Sequence, residues 1–230
     1  MTLSPTDLDT PAVDAALSTL MRDGSRAEHT AAEGSTFMSA LLDGGVNASG
    51  YVAYLRRLRE VYATLEQVGC ELSDDPVVAA VHDRGLERLT AIDADLAFWQ
   101  ARIPDASDRG EPLDSPATTS YQCRLEESRA WGGLYAAHHY TRYLGDLSGG
   151  QAIGRILDRS FDLGGRGIAF YDFPAVPKPK LYKDAYRGRL DALALSSAEK
   201  LRIVEEVKVA FNLNQALFAE LSDSLADYRR

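Results

Sequence analysis

Apolar residues recur along most of this chain at spacings of three and four, the period of a helix that buries one face. Val52, Leu55, Leu58, Tyr62 and Leu65 form such a stripe, with Arg56, Arg57, Arg59 and Glu60 outside it. The stripe predicts a helix capped by Ser49 and running to about residue 68. Leu86, Leu89, Leu96 and Trp99 mark another helix, and Val204, Val207, Phe211, Phe218 and Leu221 a long last one. Asn214 falls on that last stripe, where an apolar residue is expected.

Local chemistry marks the starts. Thr10 and Pro11 make an N-cap and first-position pair for a long first helix reaching about residue 32, flawed at Gly24. Asp75 before Pro76 opens a short helix, and Ser196 with Glu199 forms a capping box. A short apolar piece at 37–42 and a helix over 180–195 complete the set, with another resuming near Ser120. Residues 104–119 and 162–179 carry Pro, Gly, Asp and Ser without a period and are expected as loops. No alternation of period two persists. The expectation is one all-α domain spanning residues 1–230, core about 11–222, in a bundle of about eight helices.

One segment conflicts with itself. Tyr140, Tyr143, Leu144 and Leu147 keep a helical face, yet Gly145, Gly149, Gly150 and Gly154 lie in or just beyond it. Each Gly costs about 1 kcal/mol against Ala in a helix interior. Something must approach this backbone closely, or the helix must bend here. A close helix crossing, or a Gly-Gly turn between two short helices, would serve equally.

Composition narrows the partners. The 230 residues are 45% hydrophobic, enough for a sizeable core. A net charge of -9 argues against nucleic acid as a partner, since phosphates need Lys and Arg surfaces. Cys70 and Cys123 form no metal-ligand spacing and read as free thiols in a reducing compartment. With no signal peptide, no spanning apolar run and no C-terminal membrane anchor, the expectation is a cytoplasmic, monomeric protein.

Of the four histidines, His29 has Glu33 on its own helix face at i+4. A carboxylate there can take the proton of one ring nitrogen and leave the other to bind a metal. The plain alternative is an exposed His–Glu pair. A lone His makes a poor zinc site but an adequate fifth ligand for heme iron, where the porphyrin supplies four. Heme carries two propionates, so cations should gather at one edge. Lys178, Lys180, Lys183, Arg187 and Arg189 crowd one stretch, Lys183 and Arg187 sharing a face, and Arg22 stands two turns before His29. Lys178 and Lys180 read as solvated surface. The Gly-rich helix would then be the opposite wall, its glycines admitting the flat macrocycle. Asp146 within that wall would organise protons, with Arg142 at i-4 and the stripe residues Tyr62 and Asn214 closing a network. His138 and His139 point apart and are not expected as ligands.

These residues meet a known family. The run over 140–154 closely resembles the signature helix of heme oxygenases, and 27–38 resembles their proximal-histidine segment. Asp95 to Trp99 (Asp-Leu-Ala-Phe-Trp), the 181–189 stretch with Tyr182, Tyr186, Arg187 and Arg189, and the 210–218 stretch with Phe211, Asn214 and Phe218 follow in the expected order. The likeness covers about residues 15–222. It implies a helical fold with heme b, both substrate and cofactor, between the first helix and a kinked Gly-rich distal helix. It implies opening of heme to biliverdin, carbon monoxide and ferrous iron, consuming O2 and electrons from a ferredoxin or flavoprotein reductase, with attack at the α position as the family default. By matching positions, His29 is the iron's axial ligand and Glu33 its partner. Gly145 and Gly149 form the distal contact, Asp146 the proton network with Tyr62, Arg142 and Asn214, and Arg22, Tyr140, Lys183 and Arg187 the propionate holders. Two departures stand out: Arg22 occupies a position that is often Lys, and His139 one where a small residue is common. A heme carrier or sensor would keep His29 and the cations, but would need neither Asp146 nor the glycines. A helical scaffold would leave the glycines and Asn214 unexplained.

Overall fold

The computed structural model describes residues 15–103 and 113–230. Two long helices organise it: α4 (Ala48–Glu71) and α11 (Ser197–Asp223). Both bury apolar stripes, among them Leu55, Leu58, Tyr62 and Leu65 on one and Val207, Leu217 and Leu221 on the other. Around α11 pack α1 (Leu17–Gly24), α2 (Arg26–Glu33), α3 (Thr36–Leu42), α7 (Pro116–Glu127) and α8 (Gly132–His139). Against α4 lie α6 (Leu89–Gln100), α7, α8 and the short α12 (Leu225–Tyr228). The remaining helices are α5 (Pro76–Val81), α9 (Gln151–Phe161) and α10 (Pro179–Asp191), the last packed on α1 and α5.

The division is finer than about eight helices: twelve α-helical segments occur among the described residues, and no strand beyond an isolated bridge of Val46 with Arg229. The expected long first helix is two. Its start at Thr10 and Pro11 lies outside the described residues. Its break at Ser25 has a local cause. Ser25 Oγ donates to the Met21 carbonyl at 2.7 Å, which takes up a helix acceptor and turns the chain. The neighbouring Gly24 is a crossing point, since a Cβ there would stand 2.5 Å from Val204 Cγ1 of α11.

Other boundaries shift by cap chemistry. Asn47, not Ser49, caps α4, its side chain accepting from Gly50 N at 2.9 Å, and the helix continues to Glu71. Ser115 caps α7, so residues 116–119 are helix rather than loop. The helix expected over 180–195 ends at Asp191. The Asp75 cap and the Ser196–Glu199 capping box form as their spacing predicts. Cys70 and Cys123 are free and exposed. No helix among the described residues is long and apolar enough to cross a membrane.

Candidate functional site

The Gly-rich segment departs from a regular α-helix, through two wide turns. Residues Tyr140–Leu144 and Asp146–Gly150 are π-helical, between α8 and α9. Hydroxyls help to open the ladder: Thr141 Oγ1 donates to Ala137 O at 2.9 Å and Ser148 Oγ to Leu144 O at 2.7 Å. The four glycines divide by face. A Cβ on Gly150 or Gly154 would come within 3.1 Å of Tyr171, so these two admit a close packing partner. A Cβ on Gly145 or Gly149 would meet nothing within 4 Å. Those two face a cavity of about 410 Å³, within the usual range for a small-molecule site.

The cavity lies between that wall and α1–α2, which contribute Arg22, Ser25, Arg26, His29 and Glu33. Phe211, Asn214 and Phe218 of α11 line it further, and Arg187 of α10 stands at its edge. His29 sits edge-on to Phe211, ring centroids 5.4 Å apart. Glu33 Oε2 is 3.6 Å from His29 Nδ1, longer than a hydrogen bond but near enough to orient the ring. That leaves Nε2 for a ligand. Tyr140 also lines the cavity, its phenol pushed up by burial. Lys183 does not line it; its Nζ donates to Ser148 Oγ at 2.8 Å, beside the lining. Lys178 and Lys180 are exposed.

Behind the glycines is a buried polar network. Tyr62 Oη donates to Asp146 Oδ2. Arg142 Nε donates to Tyr62 Oη at 3.2 Å and its Nη1 to Asn214 Oδ1 at 2.5 Å. Arg142 Nη2 stands 3.9 Å from Asp146 Oδ1. Asn214 in turn donates to Ala210 O at 3.0 Å, which fixes its amide. All four side chains are buried. Burial pushes the Asp146 carboxyl up, and Arg142 and the Tyr62 hydroxyl pull it partly back. A carboxyl so placed keeps its proton to a higher pH than an exposed one.

The family model described as Heme oxygenase matches residues 15–220. The chain belongs to the heme oxygenase family. Heme oxygenase 1 of Homo sapiens is 37% identical over 218 residues, covering 91% of this chain and 73% of that protein. Heme oxygenase 1 of Nostoc sp. is 36% identical, covering 91% and 87%. The crystal structure of heme oxygenase-1 from Synechocystis in complex with heme superposes with a TM-score of 0.84 at 32% identity, covering 93% of this chain and 95% of that one.

Sequence reasoning about this heme oxygenase-family site missed Tyr54 and Tyr171. Tyr54 lies eight residues before Tyr62 on α4, a helical spacing that a count along the stripe would have caught. Tyr171 sits in a 3₁₀ turn (Ala169–Tyr171) of an aperiodic loop and gave no signal. Its turn is held by Asp95, which accepts from Ala169 N at 2.9 Å and Phe170 N at 2.8 Å. His138 and His139 are buried outside the cavity lining. His138 Nε2 pairs with Glu206 Oε1 at 2.9 Å, and His139 Nδ1 lies 2.9 Å from Tyr186 Oη.

Proposed function

We propose that this chain opens heme oxidatively to biliverdin, carbon monoxide and ferrous iron, and that the whole chain acts as one domain. The observation that carries the reading is the pair of glycines, Gly145 and Gly149, open to the cavity whose other wall bears His29. A bare-backbone wall suits a flat macrocycle. One imidazole suits a metal that brings its own equatorial ligands, and no group of three His, Cys, Asp or Glu able to hold a metal occurs among the described residues.

Bound heme supplies both the iron that takes O2 and the meso carbon that is oxidised. The protein's part is binding, exclusion and proton handling. His29 Nε2 would ligate the iron, with Glu33 near Nδ1 to orient the ring. Arg22, Arg187 and Tyr140, which line the cavity, would receive the propionates, with Lys183 beside them on Ser148. Gly145 and Gly149 leave bare backbone on the wall opposite His29, where the macrocycle would lie. Asp146, raised by burial and held by the Tyr62 hydroxyl, would hold and hand on protons at the cavity wall. Arg142, fixed by Asn214, keeps that carboxyl aimed and limits how far its pKa rises. Turnover also needs electrons, from a ferredoxin or flavoprotein reductase. Two exposed free thiols suit a reducing, cytoplasmic setting, in which the chain is proposed to act as a monomer.

The direct test adds one equivalent of hemin, then a reductase system or ascorbate in air, and follows the visible spectrum. Loss of the Soret band with growth of biliverdin absorption is expected. A stable complex that no donor degrades points to a carrier or sensor, and no binding overturns the heme assignment.

A further inference from the structure

His139 ends α8 and Tyr186 lies in the middle of α10; the two are buried side by side. Beyond the 2.9 Å contact of His139 Nδ1 with Tyr186 Oη, their rings stack at 9°, centroids 5.7 Å apart. The Tyr143 ring stands 4.4 Å from the imidazole on the distal segment itself. Burial drives the imidazole well below its ordinary pKa, with His82 and Arg189 adding to the effect. Burial likewise drives the Tyr186 phenol well up. Both groups are therefore neutral at physiological pH, and the bond between them does not come and go with a proton.

The place of α10 gives this bond its consequence. One end of α10 is tied to α1, where Ser18 N and Oγ donate to the two Asp191 oxygens at 2.7 and 2.8 Å. The other end meets the distal wall through Lys183 and Ser148 at the half-exposed rim. Between them, the His139–Tyr186 bond is the buried tie from α10 to the distal helix. Arg187, at the cavity edge, is the very next residue after Tyr186. A heme core has nearly fourfold symmetry about its normal, so its rotation in the plane is set by what holds its one asymmetric edge. Which meso carbon is presented to the distal wall would follow from that rotation.

We propose that His139, acting through Tyr186, is a positioning residue that registers α10 against the distal wall and thereby fixes the in-plane rotation of heme and the site of ring opening. The inference rests on the heme reading above. A small residue at position 139 could form no such tie.

The test compares His139→Ala, His139→Asn and Tyr186→Phe with the unaltered protein, with three readouts. These are melting of the heme-free protein, the pattern of heme-methyl proton resonances in the ferric cyanide complex, and the biliverdin isomers separated by chromatography. Losing one buried hydrogen bond changes a seating equilibrium by about threefold to tenfold. His139→Ala and Tyr186→Phe are therefore expected to raise the minor methyl set and the second biliverdin isomer by about threefold to tenfold over the unaltered protein. His139→Asn, whose amide can reach the place of Nδ1, is expected to restore the unaltered pattern. Tyr186→Phe removes one oxygen and keeps the ring, so it decides the matter if His139→Ala does not fold. An unaltered methyl pattern and isomer ratio in Tyr186→Phe overturn the proposal. If the unaltered protein binds no hemin, the heme reading fails first and this inference with it; if it binds heme without opening it, the methyl resonances still decide the seating.

Discussion

Gly149 and Gly154 are five residues apart in one glycine-rich run, and replacing each by Ala should have opposite effects. At Gly149 the added methyl meets nothing within 4 Å. The heme-free protein should then gain the helix propensity that Gly forfeits, about 1 kcal/mol. For a chain of this size that raises the melting temperature by about 2–4 °C. At Gly154 the methyl arrives 3.1 Å from Tyr171 Cβ and 3.3 Å from its Cγ and Cδ2. Tyr171 cannot easily retreat, because Asp95 clamps the two preceding backbone amides and Gly150 lies against the other side of the ring. Overpacking of about 1–3 kcal/mol outweighs or cancels the propensity gain, leaving a loss of about 0–2 kcal/mol. Heme binding should invert the order. The Gly149 methyl occupies space meant for the macrocycle, and the same overpacking range weakens hemin binding by about fivefold to 150-fold. Gly154→Ala should leave hemin affinity within about threefold, a change too small to register as a lost contact. Calorimetric melts of heme-free protein and absorbance titrations with hemin measure both effects. If Gly149→Ala melts lower than Gly154→Ala and binds hemin normally, the division of the glycines into a ligand face and a packing face is wrong.

Three further outcomes are expected. Asp146→Asn keeps the shape of the carboxyl, so hemin should still bind while biliverdin formation falls by about 10²–10⁴; a normal rate would remove Asp146 from proton handling. His29→Ala should abolish the axial nitrogen ligand and change the ferric spectrum; an unchanged spectrum would mean that another residue binds the iron. Glu206 resists the upward push of burial because His138 and Arg124 hold it down, to about 2 from 4.5. Its pKa is lowered on folding, so its stabilisation is complete above the unfolded value and drains away as pH falls from about 4.5 towards 2. The amount at neutral pH is about 3 kcal/mol, and Glu206→Gln should flatten the acid limb of the stability curve. An acid limb of unchanged slope in that variant would show that the pair contributes nothing on folding.

Much of the helical layout was legible in the chain because its causes are local. The Ser196–Glu199 box and the Asp75 cap act within three residues, and the apolar period marks which face turns inward. The same locality exposed part of the site. His29 and Glu33, and Arg142 and Asp146, are pairs at i and i+4, so one helix brings each together. Asn214 betrayed itself as a polar residue on an apolar stripe. Boundaries failed where the decisive contact was distant or where a nearby residue competed. Ser25 ends α1 beside a glycine whose reason is Val204, far along the chain, and Asn47 outcompetes Ser49 by two positions.

By itself, the sequence determined that this protein is helical and that it resembles the heme oxygenases, and it singled out the residues proposed to carry the chemistry. Periodicity, caps and motif order are short-range or linear properties, readable without coordinates. Only the tertiary structure decided which glycines face the cavity and which face Tyr171, since glycines in one run look alike until a neighbour packs on one side. It likewise joined Tyr62, Arg142, Asp146 and Asn214 from three different elements into one buried network, and His139 to Tyr186. The physical reason is the same in each case. Burial and hydrogen bonding between residues far apart in the chain depend on how helices cross, and that is fixed by the packing of the whole core.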